Sequence, residues 1–147
     1  FQICGAAAAW IISALLRLCF CVGGDMLKDC TKKMAVQIVS DHFPNHNVTH
    51  ANSVFSNINI AKPVWWIDPA NKKFAQDLFF IFNNCTIELL VFFIPSNSFP
   101  FPQNIFRQRK DKDCSHIEIA TGDPEYKDLL KSKTSFLPFL LTSIPLK

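Results

Sequence analysis

Glycine is scarce in this chain: it occurs only at Gly5, Gly23, Gly24 and Gly122, and no combination of these makes GxGxxG, GxxxxGK or GxSxG. Dinucleotide-binding, phosphate-loop and serine-hydrolase readings fall, because each needs glycine where the backbone turns sharply or approaches a ligand closely. The cysteines, at positions 4, 19, 21, 30, 85 and 114, include no CxxC pair. That removes ribbon-type zinc sites and thioredoxin-type redox chemistry. A dominant charge is missing too. Fifteen Lys plus Arg against twelve Asp plus Glu leave a net +3, too slight to argue for nucleic acid or an anionic membrane on charge alone.

What is present is apolar material. The chain has 147 residues and a mass of 16.7 kDa, hydrophobic residues make up 49%, and fifteen are Phe. This is enough for one domain with a sizeable core and too short for two. The whole of 1–147 therefore reads as a single domain, with 1–24 an apolar anchor or core helix and 132–147 an extended C-terminal tail. Starting at Phe1 without an initiator Met, the chain reads as a processed product or a fragment. Residues 3–22 are almost wholly apolar but contain Arg17. A membrane span needs about 20 apolar residues, and Arg inside one costs roughly 3 kcal/mol. A helix covered all round by its neighbours is the preferred reading. The tail of a signal peptide, cut before Asp25 after the small residues Val22 and Gly24, is a third reading, although a basic leader is missing.

Helical spacing at Leu27, Cys30, Met34 and Ile38 predicts a helix from about Met26 to Asp41, capped by Asp25. The Asn-rich stretch from His42 to Asn59 reads as loop with one short strand near Val54. Val64 to Ile67 reads as a buried strand. Asp68-Pro69 then resembles a cap followed by proline at the first helical position, and Phe74, Leu78 and Ile81 share a face, predicting a helix over Ala70 to Asn83. Thr86 to Ile94 is an unalternating apolar run, the mark of a strand covered on both faces. Together these predict a βαβ crossover with parallel strands. Ile105 to Arg109 and Cys114 to Ala120 read as an edge hairpin, and Asp123 as the cap of a short helix from Pro124 to Lys131. Phe136 to Leu146 holds Pro138 and Pro145, so it is expected to run extended over the body of the domain. The expected fold class is mixed α/β: a small sheet containing one βαβ unit and an edge hairpin, with two N-terminal helices.

Candidate chemistry is sparse. His42, His46 and His50 recur every four residues, the spacing with which successive helical turns present zinc ligands, but Pro44 interrupts the helix. Asp113 with Glu125 and Lys127 resembles the carboxylates and lysine of metal-dependent nucleases, in which Mg²⁺ is held beside an attacking water; the likeness covers the predicted βαβ element alone. Arg107, Arg109 and Lys110 form a basic run beside Phe106, which reads either as a nucleic-acid contact or as a solvated hairpin tip. Trp65 and Trp66 are adjacent on a strand and must face opposite ways, so one can be core while the other is covered by a helix or exposed as a binding anchor; core on both sides is the default reading. Asn47-Val48-Thr49 and Asn84-Cys85-Thr86 match the N-glycosylation acceptor, about as often as composition yields by chance, and only the first falls in a predicted loop. The cysteines, mostly in apolar runs, are expected to be reduced and structural, which slightly favours an intracellular setting. No cofactor is expected, with Mg²⁺ or Zn²⁺ at the sites above as alternatives. The function expected is that of a non-catalytic binding or assembly subunit docking through its apolar termini, the alternative being a nuclease-like hydrolase. Its partner would be a protein or a second copy, with nucleic acid, or a membrane through 3–22, as alternatives.

Overall fold

Two apolar runs, Leu78 to Phe82 and Leu89 to Ile94, dominate the middle of the chain without polar alternation. Strands of that kind are stable only where both faces of their sheet are covered. In the computed structural model, which describes residues 30–146, they form the centre of a mixed α/β fold with two sheets and few helices. Helix α1 spans Lys32–His42, and strands β1 (Ser53–Ser56) and β2 (Val64–Ile67) follow. A 3₁₀ turn at Asn71–Ala75 leads to β3 (Leu78–Asn84) and β4 (Glu88–Ile94). The one-turn helix α2 (Pro102–Ile105) precedes β5 (Arg107–Gln108) and β6 (Ser115–Ala120), and a 3₁₀ turn at Leu137–Phe139 leads into β7 (Leu140–Pro145). The main sheet has the order β1-β3-β4-β7 and the small sheet β2-β6-β5. Only β1 runs parallel to its neighbour, β3.

Alternation in the two central strands builds three layers. Phe79, Ile81, Leu89 and Val91 point to one face and pack with Ala35 and Val39 of α1 and with Val48. Leu78, Phe80, Phe82, Leu90, Phe92 and Ile94 point to the other and pack with Trp65, Ile67, Ile117 and Ile119 of the small sheet. The order is therefore helix, main sheet, small sheet. The second interface is aromatic: Phe74, Phe99, Phe106 and Phe136 fill it, with Phe74 and Phe106 stacked at 5.7 Å and Trp65 lying on Phe82 at 5.2 Å.

Several expectations are corrected. The predicted helix over Ala70 to Asn83 is a short 3₁₀ turn followed by β3. Residues 74, 78 and 81 do share helical spacing, but Phe79, Phe80 and Phe82 between and beside them are equally buried, and aromatic residues covered on both faces favour a pleated strand. The βαβ unit disappears with it. Strands β2 and β4 lie in different sheets, and β3 and β4 form an antiparallel hairpin with Asn84 opposite Glu88. Its turn places Cys85 and Thr86 in the left-handed region, at φ 55 and 57°; the Asn83 carboxamide oxygen accepts from the Thr86 amide at 2.9 Å to hold it. Helix α1 begins at Lys32 with Thr31 as its cap, whose Oγ1 accepts from the Met34 amide at 3.2 Å. Its inner face is Ala35 and Val39, and Met34 points outward. The predicted start at Met26, the cap Asp25 and the first N-terminal helix lie outside the described residues.

The segment after Asp123 also differs. The Asp123 carboxylate accepts from the amides of Glu125 and Lys127 as a cap does, yet turns and isolated bridges follow instead of a helix. The reason is Asp128, a buried residue whose carboxylate takes up the Leu130 and Ser132 amides and the Ser132 hydroxyl and thereby diverts the backbone from helical pairing. The predicted hairpin around Lys110 to Asp113 is present as β5 and β6. From Leu140 the C-terminal segment is extended and forms the edge strand β7; Leu141 is the extra residue between Thr142, opposite Val91, and Leu140, opposite Phe92. Cys30 and Cys114 are free thiols, and burial pushes the Cys30 thiol up. Cys85, expected to be reduced, is disulfide-bonded. Among the described residues no helix is long and apolar enough to cross a membrane.

Candidate functional site

Period two along β2 and β6 decides which side chains reach solvent. Trp65, Ile67, Ile117 and Ile119 turn inward; Trp66, His116 and Glu118 turn outward, with Trp66 directly across from Glu118. Arg107 on β5 stands across from His116. The outer face of the small sheet thus carries Trp66, His116, Glu118 and Arg107, flanked by Lys62 before β2 and by Asp68 after it.

These groups hold one another. Trp66 Nε1 lies 3.1 Å from both Asp68 Oδ1 and His116 Nδ1, which are themselves 3.1 Å apart. The imidazole ring centre is 4.9 Å from that of Trp66, and its Nε2 stands 3.6 Å from Glu118 Oε1. A protonated His116 donates to Asp68 and faces Glu118 with its second N–H. A neutral one with Nδ1 unprotonated accepts from Trp66 instead. The Lys62 ammonium donates to Glu118 Oε2 at 2.8 Å and holds that carboxyl below its usual value, partial burial acting against it and His116 with it. Arg109 donates to Asp68 Oδ2 and to both oxygens of Asp111, chiefly through which the Asp111 carboxyl is held low and the guanidinium pushed up. Trp66 remains 43% exposed at the centre, a flat apolar surface fixed at its polar edge. Three cations, Lys62, Arg107 and Arg109, stand against three carboxylates, Asp68, Asp111 and Glu118.

Of the residues singled out from sequence, the structure brings together Trp66 and Arg109, through Asp68, with Arg107 on the same sheet face. Trp65 is core, 1% exposed, with its Nε1 donating to the Asn83 carbonyl at 2.9 Å. Lys110 is exposed at the hairpin tip. Asp113 is engaged locally: its Oδ1 accepts from Asn71 Nδ2 at 2.6 Å, and Asn71 also donates to Gln108 and accepts from the buried Ser115 hydroxyl. This network fastens the 3₁₀ turn to the hairpin. Glu125 and Lys127 pair with each other, which raises the Lys127 ammonium. His42 ends α1, His46 sits in a 3₁₀ turn edge-on to Phe79 and Phe93, and His50 is exposed in the following loop. Among the described residues no three His, Cys, Asp or Glu gather to hold a metal ion.

Sequence reasoning missed Lys62, Asp68, His116 and Glu118. The signal was available in Ser115-His116-Ile117-Glu118-Ile119, whose strict alternation sends His116 and Glu118 outward together. The chain matches no protein-family model, no curated protein and no solved structure.

Proposed function

We propose that this chain is a non-catalytic binding or assembly module whose partner is a protein and whose anchor is Trp66. The observation that carries the reading is a half-exposed tryptophan fixed at its indole nitrogen, centred on a sheet face and ringed by charged pairs. An aromatic side chain that is already ordered loses little freedom on association, and Trp and Arg dominate the energetics of protein interfaces. The surrounding charges largely neutralise one another, which gives a partner register and specificity more than a long-range field. The C-terminal segment belongs to the same reading: Leu137 and Leu141 are exposed beside and on the edge strand β7.

Quantitative affinity capture with the intact chain and with Trp66→Ala tests this. A protein retained by the parent, lost on Trp66→Ala and kept by Lys110→Ala supports the reading, with an expected loss of at least about 2 kcal/mol for a central aromatic anchor. Equal capture by both variants sinks it. Steeply salt-dependent binding of DNA or RNA would transfer the face to nucleic acid. Cleavage of either with Mg²⁺ or Mn²⁺ that disappears in Glu125→Ala would establish the hydrolase alternative.

A further inference from the structure

Two acceptor sequences for N-linked glycan occur in the chain, and the fold separates them. Asn84 is the last residue of β3, only 7% exposed, and its carboxamide nitrogen donates to Glu88 Oε1 at 2.8 Å. A glycan on that nitrogen would break the bond and find no room. Asn47 is exposed, stands in the left-handed region at φ 50° after the 3₁₀ turn, and its carboxamide makes no hydrogen bond among the described residues. Val48 beside it is buried, so the tripeptide is pinned to the body while Asn47 and Thr49 face solvent.

A second, independent observation bears on the compartment. Cys85 is disulfide-bonded, and disulfides persist in oxidising environments, the secretory compartments among them, where glycan transfer takes place. We propose that Asn47 carries an N-linked glycan and that Asn84 does not. Transfer forms one bond, from Asn47 Nδ2 to the anomeric carbon of a lipid-pyrophosphate-linked oligosaccharide. It breaks that carbon's bond to the pyrophosphate oxygen; the lipid pyrophosphate leaves with the bonding pair and the amide gives up one proton.

Position adds a consequence. Val48 packs in the helix-side core, whereas Trp66 points away from the main sheet on the far side of the small sheet. The three layers therefore set the glycan on the face opposite the Trp66 surface, which it leaves uncovered.

The test is intact mass and peptide mapping of the full chain isolated from the cells that make it, before and after an amidase that releases N-glycans and converts the bearing Asn to Asp. A mass loss with conversion at position 47 alone is expected. No mass loss overturns the proposal, and so does conversion at position 84, alone or together with 47. In the same cells Asn47→Gln abolishes the amidase-sensitive mass and Thr49→Ser preserves it. Should Asn47→Gln fail to accumulate, Thr49→Ala provides the same readout with the asparagine in place. Persistence of the glycan in either variant overturns the assignment.

Discussion

Trp65 and Trp66 are neighbours in the chain and opposites in the fold. Trp65 is sealed between the two sheets, stacked on Phe82, with its one polar atom given to a backbone carbonyl. Trp66 stands on the other side of the same strand with its indole nitrogen tied to Asp68 and His116 and part of its ring in water. Burying a side chain of this size removes enough apolar surface from water to be decisive for a small domain. Leaving the second exposed forgoes that stabilisation and keeps the surface available for a partner. The inner face of the small sheet serves folding; on the outer face Asp68, His116 and Glu118 orient the ring and one another, and recognition is the role proposed for it.

The comparison can be broken at either face. Trp65→Ala has the largest expected effect, about 3–5 kcal/mol of lost stability from the void it leaves among Phe82, Tyr126 and their neighbours, read by urea denaturation. Asn71→Ala comes next. It strips Ser115, Gln108 and Asp113 of their shared partner, and the buried Ser115 hydroxyl, still accepting from the Gln108 amide, loses the acceptor of its proton, at a cost of about 1–3 kcal/mol; loss of amide-exchange protection in β5 and the adjoining end of β6 would localise the damage. Trp66→Ala is expected to cost about 1 kcal/mol or less, the range of a cross-strand pair on a solvated face. A Trp66→Ala variant as unstable as Trp65→Ala would erase the distinction between the two faces.

The same division explains how far the sequence could be read. Where polarity alternated, in Ser115 to Ala120, or where a run was short and apolar, in Val64 to Ile67, the strands were legible, whereas their outward residues His116 and Glu118 went unread. The hairpin after Arg109 was legible from the charged link between two strand-like segments. The segment from Ala70 to Asn83 was not. Phe, Leu and Ile on both faces of a buried strand carry no period of two, and the subset 74, 78 and 81 imitates a helix. The site fared likewise: Trp66 and Arg109 stand out by residue type, whereas Asp68 reads in the sequence as a helix cap, because its role depends on β2 and β6 being neighbours, which only the tertiary pairing reveals. Cys85 reads as a buried thiol from the apolar run beside it, and disulfide pairing leaves no trace in spacing.

The smallest effect belongs to the charges of the outer face, and its sign follows from Glu118. Hydrogen bonding to Lys62 holds its carboxyl below the ordinary value of 4.5 in the folded chain, so the unfolded state binds the proton more readily. Stability from this group is then fully present above about the ordinary glutamate value and is lost as pH falls through the lowered folded value. Urea midpoints measured from neutral to acid pH are expected to fall in that window for the parent chain and to fall less for Glu118→Gln, the two curves converging at the acid end. Lys62→Met, which removes the principal cause of the lowering, should flatten the curve in the same way. The Lys62 side chain is 55% exposed, so salt screens the pair and high ionic strength should narrow the difference between parent and variants. Identical pH slopes in all three proteins at low salt would mean that these charges contribute nothing to the fold, leaving orientation of Trp66 as their one physical consequence.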